Sequence, residues 1–521
     1  MGFHPFIFFL PIMTLSLITF KSIFWSSLSF LTLLSLAAAK KPINLLLITV
    51  DDMSCDSVGV YGCELEGTTP TMDRLASQSL RFEHAHVTVG NCNPCRNVMF
   101  SGLISHNNKV EGFYKVTDPG WPHMVDLLQE AGYYAGIHGK VTHSSPYQPY
   151  GWDDDLTILP SGQKAHIKDA KAYGESTTRG IETARKSGKP FFLSINISDP
   201  HKPFWSQVRG DGEDPYVPSR IYTAEEVPVP GFLFEDPEVR EELALYYSSV
   251  RRADDCLNEV LKALRKSGQW ENTMIVFLSD HGMPLPFAKT QLYHHSTRTP
   301  LMVRLPHVTQ AGKVDKKHMV SIVDLLPTVL DSLNVSKPKR LDGRSFYSVL
   351  QGEKQDNRDF VIKEYNENAG RSRDPMRGIQ TKTHLFLFNP WSNGERVFAT
   401  ATNGTVTCKR MIKLAQDDEQ MNERLELYRY RVPQELYHVK RDPDCLENLI
   451  HNPNHEKVKN KLMVLLEEWM ERTKDPILEC FRKRDDPEFV EAYIQKLEEE
   501  ANARRIKQKP STKPKKEKKK S

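Results

Sequence analysis

Cys92-Asn93-Pro94-Cys95-Arg96 puts two thiols, a proline and a guanidinium side by side, ahead of the apolar run Asn97-Val98-Met99-Phe100-Ser101-Gly102. A thiol at the mouth of a helix is drawn toward its anion by the positive N-terminal dipole. An arginine one turn further in offers a fixed charge and a fork of donors that suit a tetrahedral oxyanion. These residue types suit a nucleophile beside an anion site. The Cys-x-x-Cys spacing also reads as a redox pair, although no Trp precedes it. A zinc half-site lacks a second Cys/His pair of matching spacing. A buried structural cysteine is the plain alternative.

Other groups able to do chemistry recur at one kind of place. Ile43–Val50 is a continuous apolar, partly β-branched run that ends in Asp51-Asp52. Such a run fits a parallel strand buried on both faces. Paired carboxylates at its end are costly unless a cation or hydrogen bonds hold them. Tyr133–Ile137 leads to Gly139-Lys140-Val141-Thr142-His143, and Pro190–Asn196 leads to Asp199-Pro200-His201. Thr273–Leu278 leads to Ser279-Asp280-His281-Gly282. Ligands of open α/β sheets gather at the carboxyl ends of strands, so all four stretches are expected to face one site.

The elements between them follow from the same reading. Helices are expected at Thr69–Leu80, Pro122–Ala131, Asp236–Ser267 and Ile322–Leu333, with strands at Phe82–Val89 and Pro300–Leu305. Residues 205–235, rich in Pro, Gly and acids, read as a loop on the substrate side. Past about residue 350 the strands shorten: Phe360–Glu364, Gly378–Phe388 and a segment around Arg396–Cys408. Helices follow at Glu456–Arg472 and Pro487–Ala503.

Cys-x-Pro-x-Arg with a Ser-Gly end, joined to the Asp51-Asp52, Gly139-Lys140 and Asp280-His281 elements, resembles the type I sulfatases. The likeness runs from about residue 42 to about 475 and leans toward the sulfamidase branch, which removes N-sulfo groups. Met72-Asp73-Arg74-Leu75, Leu285–Tyr293 and Pro375-Met376-Arg377 carry that impression. His281 stands where that branch is expected to have Asn, and Lys289 where it is expected to have Arg. Lys140 and His143 are one residue further apart.

The resemblance implies an α/β, alkaline-phosphatase-like sandwich: a large mixed central sheet flanked by helices, plus a smaller C-terminal α+β subdomain with a short antiparallel sheet. It implies that Cys92 is oxidised by a separate maturation enzyme to formylglycine, whose hydrate is the nucleophile. Asp51, Asp52, Asp280, His281 and residue 92 would hold one divalent cation, Ca²⁺ by the hardness of the oxygen ligands. Arg96, Lys140 and Lys289 would offset charge on the sulfate, with His201 and His143 as proton carriers. His294, His295 and Arg377 would touch the substrate, a sulfated glycan carrying either an N-sulfo group or an O-sulfate ester. A phosphatase or phosphodiesterase of the same superfamily would want Ser or Thr as nucleophile and more His ligands. A non-catalytic glycan-binding relative would leave this polar set without a use.

Composition adds boundaries. Residues 1–39 hold two apolar runs split by Lys21 and end in Ala37-Ala38-Ala39, an export signal that is better formed if the start is Met13. That implies a periplasmic or secreted protein, lysosomal in an animal. The expected division is a catalytic domain at 40–350, a subdomain at 351–480 and a charged segment at 481–521. Residues 504–521 hold ten Lys/Arg against one Glu and read as a solvated, unstructured tail able to touch an anionic surface. No nucleic-acid partner is expected. Asn196, Asn334 and Asn403 open glycosylation sequons. The eight cysteines show no pairing by spacing.

Overall fold

The computed structural model describes residues 1–2, 41–114, 116, 119–145, 151–207, 214–368 and 373–508. The export signal and most of the basic tail lie outside them. The chain divides into Met1–Pro42 and one compact unit, Ile43–Ser521. No helix among the described residues is long and apolar enough to cross a membrane.

Eight strands form the large sheet: β1 (Asn44–Asp51), β2 (Leu80–His86), β3 (Tyr134–His138), β4 (Asp154–Asp155), β5 (Phe191–Pro200), β6 (Thr273–Ser279), β7 (Leu301–Arg304) and β8 (Val314–Ser321). Their order is β4-β3-β5-β1-β6-β7-β2-β8. β3, β5, β1 and β6 run parallel, and β7 is antiparallel to both β6 and β2. Every residue of β1, β3, β5 and β6 is buried, so continuous apolar runs rather than alternation encode them.

Helices cover this sheet. α1 (Cys92–Ser101) is buried along its whole length. α2 (Ala170–Lys186) and α3 (Pro237–Lys266) pack on each other and on β5. The Asp236 carboxylate caps α3, accepting from the Glu238 amide at 2.9 Å.

The second sheet is antiparallel, β12-β11-β10-β9, built from β9 (Phe360–Glu367), β10 (Arg373–Thr381), β11 (Leu385–Phe388) and β12 (Gln434–Tyr437). α4 (Glu456–Thr473) and α5 (Pro487–Gln508) pack against β10. The architecture is the expected one: a mixed central sheet between helices and a smaller antiparallel sheet.

Three local expectations are corrected. The segment around Arg396–Cys408 is not a strand: Phe398 stacks on Trp391 at 5.2 Å, and Thr405 caps a helix over Val406–Leu414. The helix begun at Pro70 ends at Ala76, and Leu80 already belongs to β2. The helix from Ile322 starts as a 3-10 turn, Ile322–Asp324, before Leu325–Ser332.

Candidate active site

The parallel strands deliver their chemistry at one edge. β1 ends in Asp51, with Asp52 beside it, and neither carboxylate is exposed. Asp52 sits in the left-handed region at φ 68°, which turns its side chain away from the strand path. β6 ends just before Asp280-His281, β3 before Gly139-Lys140, and β5 at Pro200 before His201. α1 begins at Cys92. The Asn91 side chain accepts from the Cys92 amide at 3.1 Å, and Gly102 at φ 64° ends the helix in the left-handed cap conformation.

Arg96 ties the strand ends together. Its Nε and Nη2 donate to Asp280 Oδ2 at 3.1 and 2.8 Å, and Nη2 lies 3.5 Å from Asp51 Oδ1. Its Nη1 donates to Thr49 Oγ1 at 2.8 Å and to Asn196 Oδ1 at 2.7 Å. Lys140 pairs with Asp51 Oδ2. Lys289 Nζ reaches both oxygens of Asp52 at 2.8 and 2.7 Å. His281 Nε2 lies 3.2 Å from Asp52 Oδ1 and 3.2 Å from Cys92 Sγ. Its Nδ1 is 3.0 Å from the Gly282 carbonyl, so Nδ1 carries the proton and Nε2 faces the acids.

The segment bearing Lys289 meets the Cys92 loop at close range. Thr290 N donates to Gly90 O at 2.7 Å. A Cβ at residue 90 would fall 2.5 Å from the Gln291 carbonyl oxygen, so glycine is needed for the approach.

Burial and charge act in opposite directions here. Burial alone would raise Asp51 and Asp52. Lys140 reverses this at Asp51 and Lys289 at Asp52, helped at both by His201, so both are held below the usual carboxylate range. Asp280 is pushed up by burial and then by the Asp51 charge, against Arg96. Burial, only partly offset by Lys289, also drives the Cys92 thiol well up. The dipole alone would favour a thiolate; desolvation wins, and the thiol as it stands is a poor nucleophile. Cys95 Sγ meets the Asp280 carbonyl at 3.0 Å and is likewise driven up by burial, which gives no support to a redox pair.

The donor set fits a divalent cation. Ligand atoms of Asp51, Cys92, Asp280 and His281 lie within 4.8 Å of one another, as do those of Asp52, Cys92 and His201. The two sets share Cys92, and their three buried carboxylates suit a hard cation.

A cavity of about 380 Å³ opens on Cys92, His143, His201 and Lys289. The His201 side chain is 36% exposed, and Nε2 lies 3.9 Å from Asp52 Oδ2. Its Nδ1 is 2.6 Å from the Lys202 carbonyl. His143 Nδ1 is buried without a hydrogen-bond partner among the described residues. Burial, then the Lys140 charge, lowers His143 to about 3.

The structure thus brings together Asp51, Asp52, Cys92, Arg96, Lys140, His143, His201, Asp280, His281 and Lys289. Three expected substrate residues lie elsewhere. His294 Nδ1 meets Gln380 Nε2 at 2.8 Å, and His295 is stacked on Phe232 at 3.9 Å with its Nε2 3.1 Å from the Phe287 carbonyl. Both face a different cavity, lined also by Asp56 and Asp444. Arg377 is wholly buried in a bidentate pair with Asp475 at 2.5 and 2.8 Å.

Sequence reasoning missed the neutral residues. Asn368, Thr400 and Asn403 line the cavity from the far end of the chain. Asn196 looked like a glycosylation sequon, yet it is fully buried in β5 and holds Arg96. Its place inside a buried-strand run was the available signal.

Residues 43–335 match the family model described as Sulfatase, and residues 280–393 match N-sulphoglucosamine sulphohydrolase, C-terminal. The chain is 30% identical over 476 residues to N-sulphoglucosamine sulphohydrolase of Homo sapiens, covering 84% of this chain and 91% of that one. It is 26% identical over 447 residues to an ulvan-active sulfatase of Formosa agariphila, covering 85% and 83%. A solved structure in complex with its substrate D-glucosamine-2-N,6-O-disulfate is similar at a TM-score of 0.62 and 20% identity, covering 84% of this chain and 99% of that one; this likeness bears on the fold. With the family model matched over more than half its length, and strand-end acids gathered around Cys92, this chain belongs to the sulfatase family and is a sulfatase.

Proposed function

We propose that this sulfatase acts on a sulfated glycan and cleaves the N-sulfo group of a glucosamine residue. The gathering of Asp51, Asp52 and Asp280 around Cys92, which itself lines the cavity, supports the sulfatase chemistry. The match of residues 280–393 to the sulphohydrolase C-terminal model supports the N-sulfo assignment. An O-sulfate ester is the second reading, favoured by the ulvan-active relatives and by His281 and Lys289 standing where the N-sulfo branch is expected to have Asn and Arg.

In this proposal Cys92 is oxidised to formylglycine by a separate maturation enzyme. Asp51, Asp52, Asp280 and His281 would hold Ca²⁺. Bound there, it would supply Lewis-acid polarisation of sulfate oxygens and would favour ionisation of a hydroxyl on residue 92. The chain's own residues do the rest. Arg96 fixes Asp280 and Asp51 relative to residue 92. Lys140 and Lys289 place positive charge beside residue 92, suited to the sulfate oxygens of the transition state. His201 lines the cavity and, in its doubly protonated form, would give its Nε2 proton to the departing nitrogen or oxygen. His143 lines the cavity, is kept neutral by burial and the Lys140 charge, and would accept the proton of the geminal hydroxyl. Export through the signal at 1–39 fits a glycan substrate outside the cytoplasm.

A panel of N-sulfated and O-sulfated disaccharides tests the reading. Sulfate release is expected from N-sulfoglucosamine with kcat/KM at least about tenfold above any O-sulfate, a gap of about 1.4 kcal/mol. Preference for an O-sulfate would move the assignment to the second reading.

A further inference from the structure

His201 stands just past the end of the strand that carries it. β5 stops at Pro200, so the sheet ladder does not hold the next residue, and the His201 side chain is 36% exposed. The ring is oriented by the following residue: Nδ1 donates to the Lys202 carbonyl at 2.6 Å. The peptide between 201 and 202 must therefore stay put, since turning it would carry the Lys202 carbonyl away from the ring. The oxygen of that peptide is the His201 carbonyl, and it accepts from Lys168 Nζ at 2.7 Å.

Lys168 comes from another part of the chain, two residues before α2, and its side chain is buried. It lines a different cavity, with Lys202 and Arg252, and is not one of the residues around the Cys92 cavity. The same ammonium donates to Asp199 Oδ1 at 2.6 Å, so Lys168 grips the 199–201 segment at two points. The grip is anchored on α3. Arg252 Nε donates to Asp199 Oδ2 at 2.6 Å, and Arg252 Nη1 donates to Asp214 Oδ2 at 2.8 Å. Two cations and two acids alternate, all buried. A balanced buried set of this kind is a weak source of stability, because well-packed apolar residues often serve as well. What the ammonium adds is a charged hydrogen bond to one chosen carbonyl.

We propose that Lys168 is the positioning residue for His201: it clamps the Asp199 carboxylate and the His201 carbonyl, and so holds the imidazole where its Nε2 proton reaches the departing atom. This rests on the reading of His201 as the acid for the leaving group. A general acid must stand within hydrogen-bond reach of the atom it protonates. A misplacement of about 1 Å costs on the order of 10²-fold in rate. Lys168 therefore acts on the chemical step through His201 and leaves substrate binding alone.

Lys168→Met keeps the apolar stem and removes the donor. On whichever sulfated disaccharide the enzyme turns over fastest, kcat should fall at least about tenfold with KM within about twofold. On 4-methylumbelliferyl sulfate, whose phenolate leaves without a proton, the loss should be at least about fivefold smaller, as for His201→Ala. In a His201→Ala background, Lys168→Met should cost less than about twofold more, because residues that act through one another are not additive. Lys168→Met/Asp199→Asn removes both charges of one pair and leaves Arg252 matched by Asp214. It should show the same pattern, and it carries the test if the single variant does not fold. An undiminished further loss in the His201→Ala background would overturn the proposal. So would a rise in KM with kcat retained, or an equal loss on both substrates where His201→Ala tells them apart. His201→Ala alone reads the acid assignment. If it loses as much on the aryl sulfate as on the sugar, that assignment fails, and the coupling between residues 168 and 201 still decides the positioning.

Discussion

Among the buried ion networks of the described residues, two differ in what surrounds them. At the edge of the large sheet, Asp51, Asp52 and Asp280 crowd around Arg96, Lys140, Lys289 and a thiol, and the group opens on a cavity. At the smaller sheet, Arg377 binds Asp475 and lies 3.7 Å from Glu364, which pairs with His106 at 3.0 Å. This second group is closed. His106 offers both ring nitrogens to acceptors, Glu364 Oε2 and the Thr473 carbonyl, as an imidazolium would. Acids and cations pair off in both groups, but the second is sealed from solvent, whereas Cys92 and Lys289 of the first line a cavity. A balanced, sealed network holds elements together. In the proposed reading, acids crowded beside a cavity serve a reaction.

The sharpest way to break this contrast is to disturb one network at a time. Cys92→Ala should reduce turnover by roughly 10³-fold or more while leaving the melting temperature within a few degrees of the parent. Unchanged turnover would remove the distinction between the two groups.

Arg377→Ala should do the reverse. Removing one partner of a wholly buried pair leaves Asp475 uncompensated and costs about 3–5 kcal/mol, read by denaturant unfolding. The kcat/KM of the fraction that stays folded should hold near the parent value. A selective loss of substrate binding would return Arg377 to the substrate side.

A smaller effect sharpens the comparison through pH. Burial opposes charge on both His106 and Glu364, yet their mutual attraction wins: His106 is raised to about 9 and Glu364 lowered to about 2. The His106 contribution to stability is full below 6.5 and is lost as pH rises through about 9. The Glu364 contribution is full above 4.5 and is lost as pH falls through about 2. Thermal unfolding of His106→Gln should therefore differ most from the parent between 4.5 and 6.5 and converge with it above about 9. A pH-independent difference would contradict the charge pairing.

What the sequence displayed follows the same division. β1 and β6 were readable because strands buried on both faces are continuous apolar runs, and the acids that break those runs at 51, 52 and 280 are conspicuous. Cys92 and Arg96 stood out by residue type and spacing, which alone left a redox pair or a structural cysteine open. Arg377 misled because a short motif gives a residue's type and neighbours in sequence but not its depth; Asp475, its partner, lies nearly a hundred positions on. Asn368 and Thr400 carry no charge and break no pattern, and Asn403 showed only a sequon, so tertiary packing reveals them on the cavity wall. β8 was missed because Val314–Lys317 is polar and largely exposed, and α2 because Gly174 and Gly180 dilute its apolar face.

The proposed sulfatase chemistry depends most on the chemical state of residue 92. Peptide mass spectrometry across that residue, on protein shown to release sulfate, tests it directly. The expected peptide is lighter than the cysteine form, with the sulfur and two hydrogens exchanged for one oxygen. An intact thiol at residue 92 in protein that turns over substrate would contradict it.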